Sequence, residues 1–174
     1  DNEPWIMGQI NPLVYAAYAR AGLDAVRAVN PQAKVLLAGE IYEAPVNARR
    51  RLGTTWPDRI LGRNGGWFEE MTSHLGVLDQ FDGLALHPYC NGGGWPDASV
   101  YADYRRIGHG LPLYVTEDGA TPDEPRLGQA EYLEAAVRAA EEGGCLWWTC
   151  YQLRSGTDPE WDFGAFDRDG NHRE

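Results

Sequence analysis

The chain has 174 residues, of which 43% are hydrophobic and 24% charged, a composition that supports one domain with a sizeable core. Its formal net charge of −11 argues against binding to nucleic acid or to an anionic membrane surface, because the field of the chain would repel both. No apolar run of about 18 residues is present, so we expect no membrane-spanning helix.

The first part of the chain alternates between helical and strand-like segments. Asn11 is a good N-cap with Pro12 at the first helical position, and apolar residues continue at helical spacing until Asn30-Pro31 ends the helix. The further elements predicted here are a buried strand at 34–40, a long loop at 41–64 and a helix at 66–74.

The same alternation continues to residue 150. The glycine-rich stretch at 91–96 lacks the Lys and Ser/Thr of a phosphate loop and is interpreted as an ordinary loop. The elements predicted around it are a strand at 82–89, a short helix at 98–107, a strand at 111–116 ending in Glu117, a loop at 119–125, a helix at 127–142 stopped by Gly143-Gly144, a strand at 145–150 and a final loop from 153.

The order of these elements predicts an α/β protein with a parallel sheet. Each strand run is nearly continuously apolar, as is typical of parallel strands covered on both faces. The C-terminal ends of parallel strands carry the chemistry in a (β/α)8 barrel and the ligand in an open doubly wound sheet. No Gly-x-Gly-x-x-Gly follows a strand, which counts against a dinucleotide-binding fold. The polar and aromatic residues at these strand ends are Glu40, His87, Tyr89, Glu117 and Tyr151.

Cysteines and histidines give no sign of a disulfide framework or a metal site. The cysteines Cys90, Cys145 and Cys150 are odd in number, and the last two lie too close on one strand to bridge easily. We therefore interpret them as small buried apolar residues. The four histidines lack metal-ligand spacing, so we expect no structural or catalytic metal. An arginine run at 49–51 is interpreted as a solvated face.

Two glutamates stand in strand-end contexts far apart in the sequence. Glu3 lies in an Asn-Glu-Pro triplet near the first residue, and Glu117 lies in a Thr-Glu-Asp-Gly stretch. Glycoside hydrolysis needs two carboxyl groups, of which one protonates the leaving oxygen and the other attacks the anomeric carbon or activates a water. Glu117 would have to stay ionised, and Tyr89 and His87 are its candidate hydrogen-bond donors. A solvated or capping acid is the alternative for either glutamate.

Four motifs in this order resemble the clan A glycoside hydrolases, the retaining four-seven TIM barrels. They are Asn2-Glu3-Pro4, His87-Pro88-Tyr89, Thr116-Glu117-Asp118-Gly119 and the closing stretch at 163–170. In that clan Asn-Glu-Pro ends strand four and carries the acid/base, and a second glutamate ends strand seven as the nucleophile. The resemblance implies that residues 1–174 form a single partial (β/α)8 catalytic domain with roughly strands five to eight.

The same resemblance implies roles for several other residues. The activity it implies needs no cofactor. Asn2 would hydrogen-bond the sugar 2-hydroxyl, and His87 and Tyr89 would lie beside the substrate. Trp148 would replace the sugar platform that relatives carry at the end of strand eight, although core packing is the alternative for this ring. The implied activity is retaining hydrolysis of a β-linked oligo- or polysaccharide, with secretion favoured by analogy alone.

Four strands and part of a fifth cannot close an eight-stranded barrel. The missing half would come from the same longer chain, from another chain or from self-association. A second hypothesis is therefore a non-catalytic carbohydrate-binding or structural half-barrel within a larger assembly. A metal-dependent barrel hydrolase is a weaker third, because clustered His and Asp ligands are lacking.

Overall fold

The computed structural model describes residues 11–37, 66–89, 96–120 and 128–152, together with positions 164, 166, 167 and 169–171. None of the helices in these ranges is long and apolar enough to cross a membrane. A short 3-10 helix, Leu78–Gln80, precedes the second strand. The principal elements in chain order are α1 (Pro12–Val29), β1 (Leu36–Leu37), α2 (Gly66–Leu75), β2 (Gly83–Leu86), α3 (Ser99–Ile107), β3 (Leu113–Asp118), α4 (Gln129–Glu142) and β4 (Trp147–Cys150).

The four strands form one parallel sheet in the sequential order β1-β2-β3-β4. Within the described ranges, the larger of two buried clusters joins apolar side chains of the four helices to the same sheet face. Sequential order with the helices on one face is the arrangement of a barrel wall, whereas a doubly wound sheet reverses its order and carries helices on both faces. The predicted α/β class and parallel sheet are confirmed, and the numbering of the strands as five to eight stays a prediction.

Helix ends agree with the prediction because local signals determine them. The Asn11 side chain accepts a hydrogen bond from the Leu13 amide at 2.9 Å, and the Asn30 amide closes α1 on the Val26 carbonyl at 2.8 Å. The strands differ more from prediction. β2 and β4 are shorter than the predicted 82–89 and 145–150, and β3 extends through Glu117 to Asp118.

The two faces of the sheet have different environments. Four strand residues, Leu84, Leu86, Leu113 and Val115, are almost fully buried toward the helices, and each contributes about 1.5–3 kcal/mol by leaving water. Trp147, on the opposite face, is 62% exposed. The expectation that both faces are covered is not met within the described ranges, because their helices pack on one side. The uncovered side corresponds to the interior of a closed barrel.

An ion-pair cluster joins the sheet to α1 at the N-terminal ends of the strands, opposite the candidate site. Asp82 accepts hydrogen bonds from Arg27 at 2.7 Å, from Lys34 at 2.9 Å and from the Val35 amide at 2.8 Å. The Val35 amide and then the Lys34 side chain hold the pKa of Asp82 at about 2. Asp82 therefore ties the end of α1 to the starts of β1 and β2.

Candidate active site

The C-terminal ends of β2 and β3 bring His87, Tyr89 and Glu117 together. The Tyr89 hydroxyl donates a hydrogen bond to Glu117 Oε2 at 3.2 Å. His87 Nδ1 lies 3.6 Å from the same oxygen. The Glu117 side chain is 27% exposed, whereas His87 is 3% exposed, so the carboxylate meets solvent while its neighbours are enclosed. Such a carboxylate is both oriented and accessible to a ligand.

Side chains from the neighbouring strands fix the two groups that flank Glu117. His87 Nε2 lies 3.1 Å from Thr116 Oγ1, which orients the imidazole. The ring of Tyr89 makes edge contacts with His87 and Tyr151, at centroid distances of 6.3 and 6.2 Å. Edge-to-face contacts of this kind add to the burial of the rings and restrict their motion. The phenol therefore reaches Glu117 from a fixed position.

A bulge in β3 aims Thr116 and Glu117 at this site. Val115 pairs with Trp148 and Asp118 pairs with Cys150, so β3 has one residue more than β4 between the two pairs. An extra residue of this kind breaks strict alternation and re-aims side chains. Val115 and Asp118 are both buried, while Thr116 and Glu117 are both only partly buried and lie beside His87.

Asp118 is a buried carboxyl group directly after Glu117 in the chain. It is 2% exposed, and its Oδ1 and Oδ2 accept hydrogen bonds from the Tyr132 hydroxyl at 2.9 Å and the Trp148 indole at 3.2 Å. Burial raises the pKa of Asp118 from its ordinary 3.8 to about 6, although both hydrogen bonds oppose the rise. Sequence reasoning assigned Asp118 no role. The position of Tyr132 on the buried face of α4 was the available signal for its partner.

Trp148 lies on the helix-facing side of the sheet. Its indole packs against both buried clusters, one of which contains Tyr132, and its nitrogen is bound to Asp118. The structure thus places Trp148 beside Asp118. The role of Trp148 as a platform for a sugar ring stays a prediction. Trp147 pairs in register with Tyr114 on the other face and is the exposed tryptophan of this strand.

The predicted residues Asn2 and Glu3 lie outside the described residues, as do Glu40 and Cys90. Cys145 and Cys150 are free thiols of intermediate burial, more exposed than the buried positions expected of them. Burial raises the pKa of the Cys145 thiol to about 11. Across the described part of the chain, no group of three or more His, Cys, Asp or Glu side chains could hold a metal ion.

Solved structures that share this fold include three glycoside hydrolases. A GH128 (subgroup IV) endo-β-1,3-glucanase from Lentinula edodes superposes with a TM-score of 0.63 at 19% identity over 99% of this chain. A monomeric β-xylosidase from Caulobacter crescentus CB15 gives 0.60 at 19% over 99%, and a hyperthermostable endo-1,4-β-D-mannanase from Thermotoga petrophila RKU-1 gives 0.54 at 13% over 92%. The chain therefore shares the TIM-barrel-like fold of these three proteins over the part of their length that it covers.

The chain spans 64%, 38% and 45% of the lengths of these three proteins. No family model matches the chain, and no curated protein matches its sequence. At sequence identities of 13–19%, the similarity to these proteins shows a shared fold and does not by itself show a shared activity.

Proposed function

We propose that the chain is a retaining glycoside hydrolase of the clan A type, or its C-terminal catalytic part, with Glu117 as nucleophile and Glu3 as acid/base. The observation that carries the proposal is the environment of Glu117. Its carboxylate stands at the C-terminal end of a parallel strand, bound by the Tyr89 hydroxyl at 3.2 Å and partly open to solvent. Barrel enzymes place their reacting groups at this edge.

A carboxylate nucleophile must be ionised and aimed at one carbon atom. The phenol of Tyr89 donates a hydrogen bond to Oε2 of Glu117 and so orients its carboxylate. A protonated His87, 3.6 Å from the same oxygen, would add an ion pair. Both groups act on Oε2 and limit rotation of the carboxylate, which lowers the entropic cost of reaching the attacking geometry.

The reaction proceeds in two displacements. Glu117 attacks the anomeric carbon, the bond to the leaving oxygen breaks, and Glu3 gives its proton to that oxygen. Water then attacks the same carbon and gives a proton to Glu3, while the bond to Glu117 breaks and the carboxylate is restored. Two inversions retain the configuration. Asn2 would hydrogen-bond the 2-hydroxyl of the sugar, and no cofactor takes part.

A β-linked oligo- or polysaccharide is the substrate class that fits best. The three proteins of similar fold are described as a β-1,3-glucanase, a β-xylosidase and a 1,4-β-D-mannanase. These activities differ in sugar and linkage position but share β-configured bonds. The resemblance of the four sequence motifs to clan A supports the same class and the assignment of the four strands as five to eight.

Hydrolysis of β-1,3-glucan, xylan and β-mannan by the full-length natural protein, followed as reducing ends, tests the proposal. Glu117→Gln should lower turnover at least about 10³-fold, and Glu3→Gln about 10²- to 10⁴-fold. Glu141→Gln removes an exposed carboxylate of α4 and is the matched control, expected to leave turnover unchanged. Substantial turnover by the Glu117 variant would exclude this carboxylate as the nucleophile.

The open sheet face favours a second candidate, a non-catalytic carbohydrate-binding half-barrel. Trp147 presents a 62% exposed ring on that face, and an exposed indole suits stacking on a sugar. Calorimetric titration of the full-length protein with oligosaccharides of the same three polymers separates the candidates. Binding without any reducing-end release would establish this second function in place of the first.

A further inference from the structure

Asp118 connects three elements behind the proposed nucleophile. Its Oδ1 is bound by Tyr132 of α4 and its Oδ2 by Trp148 of β4, at 2.9 and 3.2 Å. Its main-chain oxygen accepts a hydrogen bond from the Tyr151 amide at 2.7 Å. All three contacts act on the residue that closes the bulge of β3.

The same contacts lead back to Glu117 through the neighbouring rings. Tyr151, held by the Asp118 carbonyl, makes an edge contact with Tyr89, whose hydroxyl binds Glu117. Peptide bonding joins Asp118 to Glu117 directly, so the two paths form a closed ring of contacts. A shift of Asp118 would therefore change the orientation of Glu117 relative to Tyr89.

We propose that Asp118 is a positioning residue for Glu117: the hydrogen bonds of its carboxylate to α4 and β4 hold the bulged end of β3 so that Glu117 faces Tyr89. This inference rests on the proposed glycosidase function. Burying a carboxylate costs folding free energy, so a buried carboxylate persists only where surrounding groups hold it in place. Two directional donors from different elements supply that constraint.

Protonation of Asp118 weakens this arrangement. The carboxylate accepts from Tyr132 and Trp148 together, whereas the protonated acid carries a hydrogen on one of the two oxygens. Since the indole can only donate, the acid hydrogen must point to the phenol, which then has to turn its own hydrogen away. Burial sets the pKa of Asp118 at about 6, so this change falls in an accessible pH range.

Among the described residues, His87 and Cys150 also interact electrostatically with the Asp118 carboxyl. His87 of the β2 end acts on it through its charge and lowers the pKa of Asp118 slightly against burial. Cys150 of β4 has a thiol pKa raised by burial first and by the Asp118 charge second. The thiol therefore stays neutral where Asp118 titrates.

Steady-state kinetics of the full-length protein across pH test the inference, with whichever of β-1,3-glucan, xylan or β-mannan the wild type hydrolyses. Asp118→Asn keeps the shape of the side chain and imitates the protonated state. We expect kcat at pH 7 to fall about tenfold with KM within about twofold, because only the aim of the nucleophile changes. We also expect kcat of the wild type to fall as the pH drops through about 6, where Asp118 takes up a proton, and we expect this acid limb to be absent in the variant.

Tyr132→Phe is the second variant and serves also if the Asp118→Asn protein does not fold. It removes a donor that favours the carboxylate, so the acid limb should move to higher pH. Asp24→Asn, which removes an exposed carboxylate of α1, should keep the wild-type profile. Wild-type kcat and an unchanged acid limb in both site variants would overturn the inference. Activity retained by Glu117→Gln would instead overturn the proposed function on which it rests.

Discussion

Replacing Asp118 by Asn is expected to make the protein more stable at neutral pH. The Asp118 carboxyl has a pKa of about 6 in the fold and an ordinary value of 3.8, so its ionisation above pH 6 opposes folding. The raised pKa of Asp118 contributes to the free energy of unfolding. This contribution is fully present below pH 3.8 and is lost as the pH rises through about 6. At pH 7 the loss is about 3 kcal/mol, which Asp118→Asn should recover in large part.

Urea denaturation of wild type and Asp118→Asn at pH 4 and pH 7 measures this difference directly. The two free energies of unfolding should nearly coincide at pH 4, and the variant should be more stable by up to about 3 kcal/mol at pH 7. Asp24→Asn, on the exposed side of α1, should change stability by less than about 0.5 kcal/mol at either pH.

A variant that is less stable than wild type by the same amount at both pH values would refute this reasoning. It would mean that the hydrogen bonds from Tyr132 and Trp148 outweigh burial and that the pKa of Asp118 is not raised. The expected gain in stability with a loss of turnover is typical of active sites that hold a costly charge in a fixed place.

Three further changes probe the fold and the site. Asp82→Asn should lower the melting temperature by a few degrees at pH 7, and the difference should vanish near pH 2. The reason is that the lowered pKa of Asp82 stabilises the fold above pH 3.8, and this contribution is lost as the pH falls through about 2. Calorimetric scans at both pH values measure the difference, and an equal difference at both would contradict the prediction. Tyr89→Phe should lower kcat about tenfold to a hundredfold with little change in KM, because it removes the phenol hydrogen bond to the proposed nucleophile. An unchanged kcat in the hydrolysis assay would show that this hydrogen bond does not contribute to turnover. Gly83→Ala should lower the free energy of unfolding, measured in urea, by about 1–3 kcal/mol, because the added Cβ would lie 2.6 Å from the backbone oxygen of Pro112. Gly22→Ala is the control: its added Cβ meets no atom within 4 Å, so the change should be neutral or stabilising.

Local signals in the sequence were enough to predict the helices and a parallel sheet. Asn11 and Pro12 mark the start of α1 through a side-chain hydrogen bond and a preset dihedral angle, and Asn30 marks its end. The ends of the strands were predicted less well. Their limits depend on pairing with neighbouring strands, as β4 shows by beginning at Trp147 rather than at Cys145.

The arrangement around Glu117 could be predicted only in part. Strand-end positions correctly indicated that His87 and Tyr89 would lie beside Glu117. Strict alternation from the buried Val115, however, would turn Glu117 toward the helices and Asp118 toward the site. The bulge reverses this, and it arises from pairing with β4, for which the sequence of β3 carries no signal.

Trapping of the glycosyl-enzyme intermediate would identify the nucleophile directly. The full-length protein would be treated with activated 2-deoxy-2-fluoro β-glucosides, β-xylosides and β-mannosides, digested, and its peptides analysed by mass spectrometry. We expect one sugar bound through an ester to Glu117, with no label in Glu117→Gln and an unchanged label in Glu141→Gln. A label on another residue, or turnover of the natural substrate without any label, would contradict the assignment of Glu117 as nucleophile.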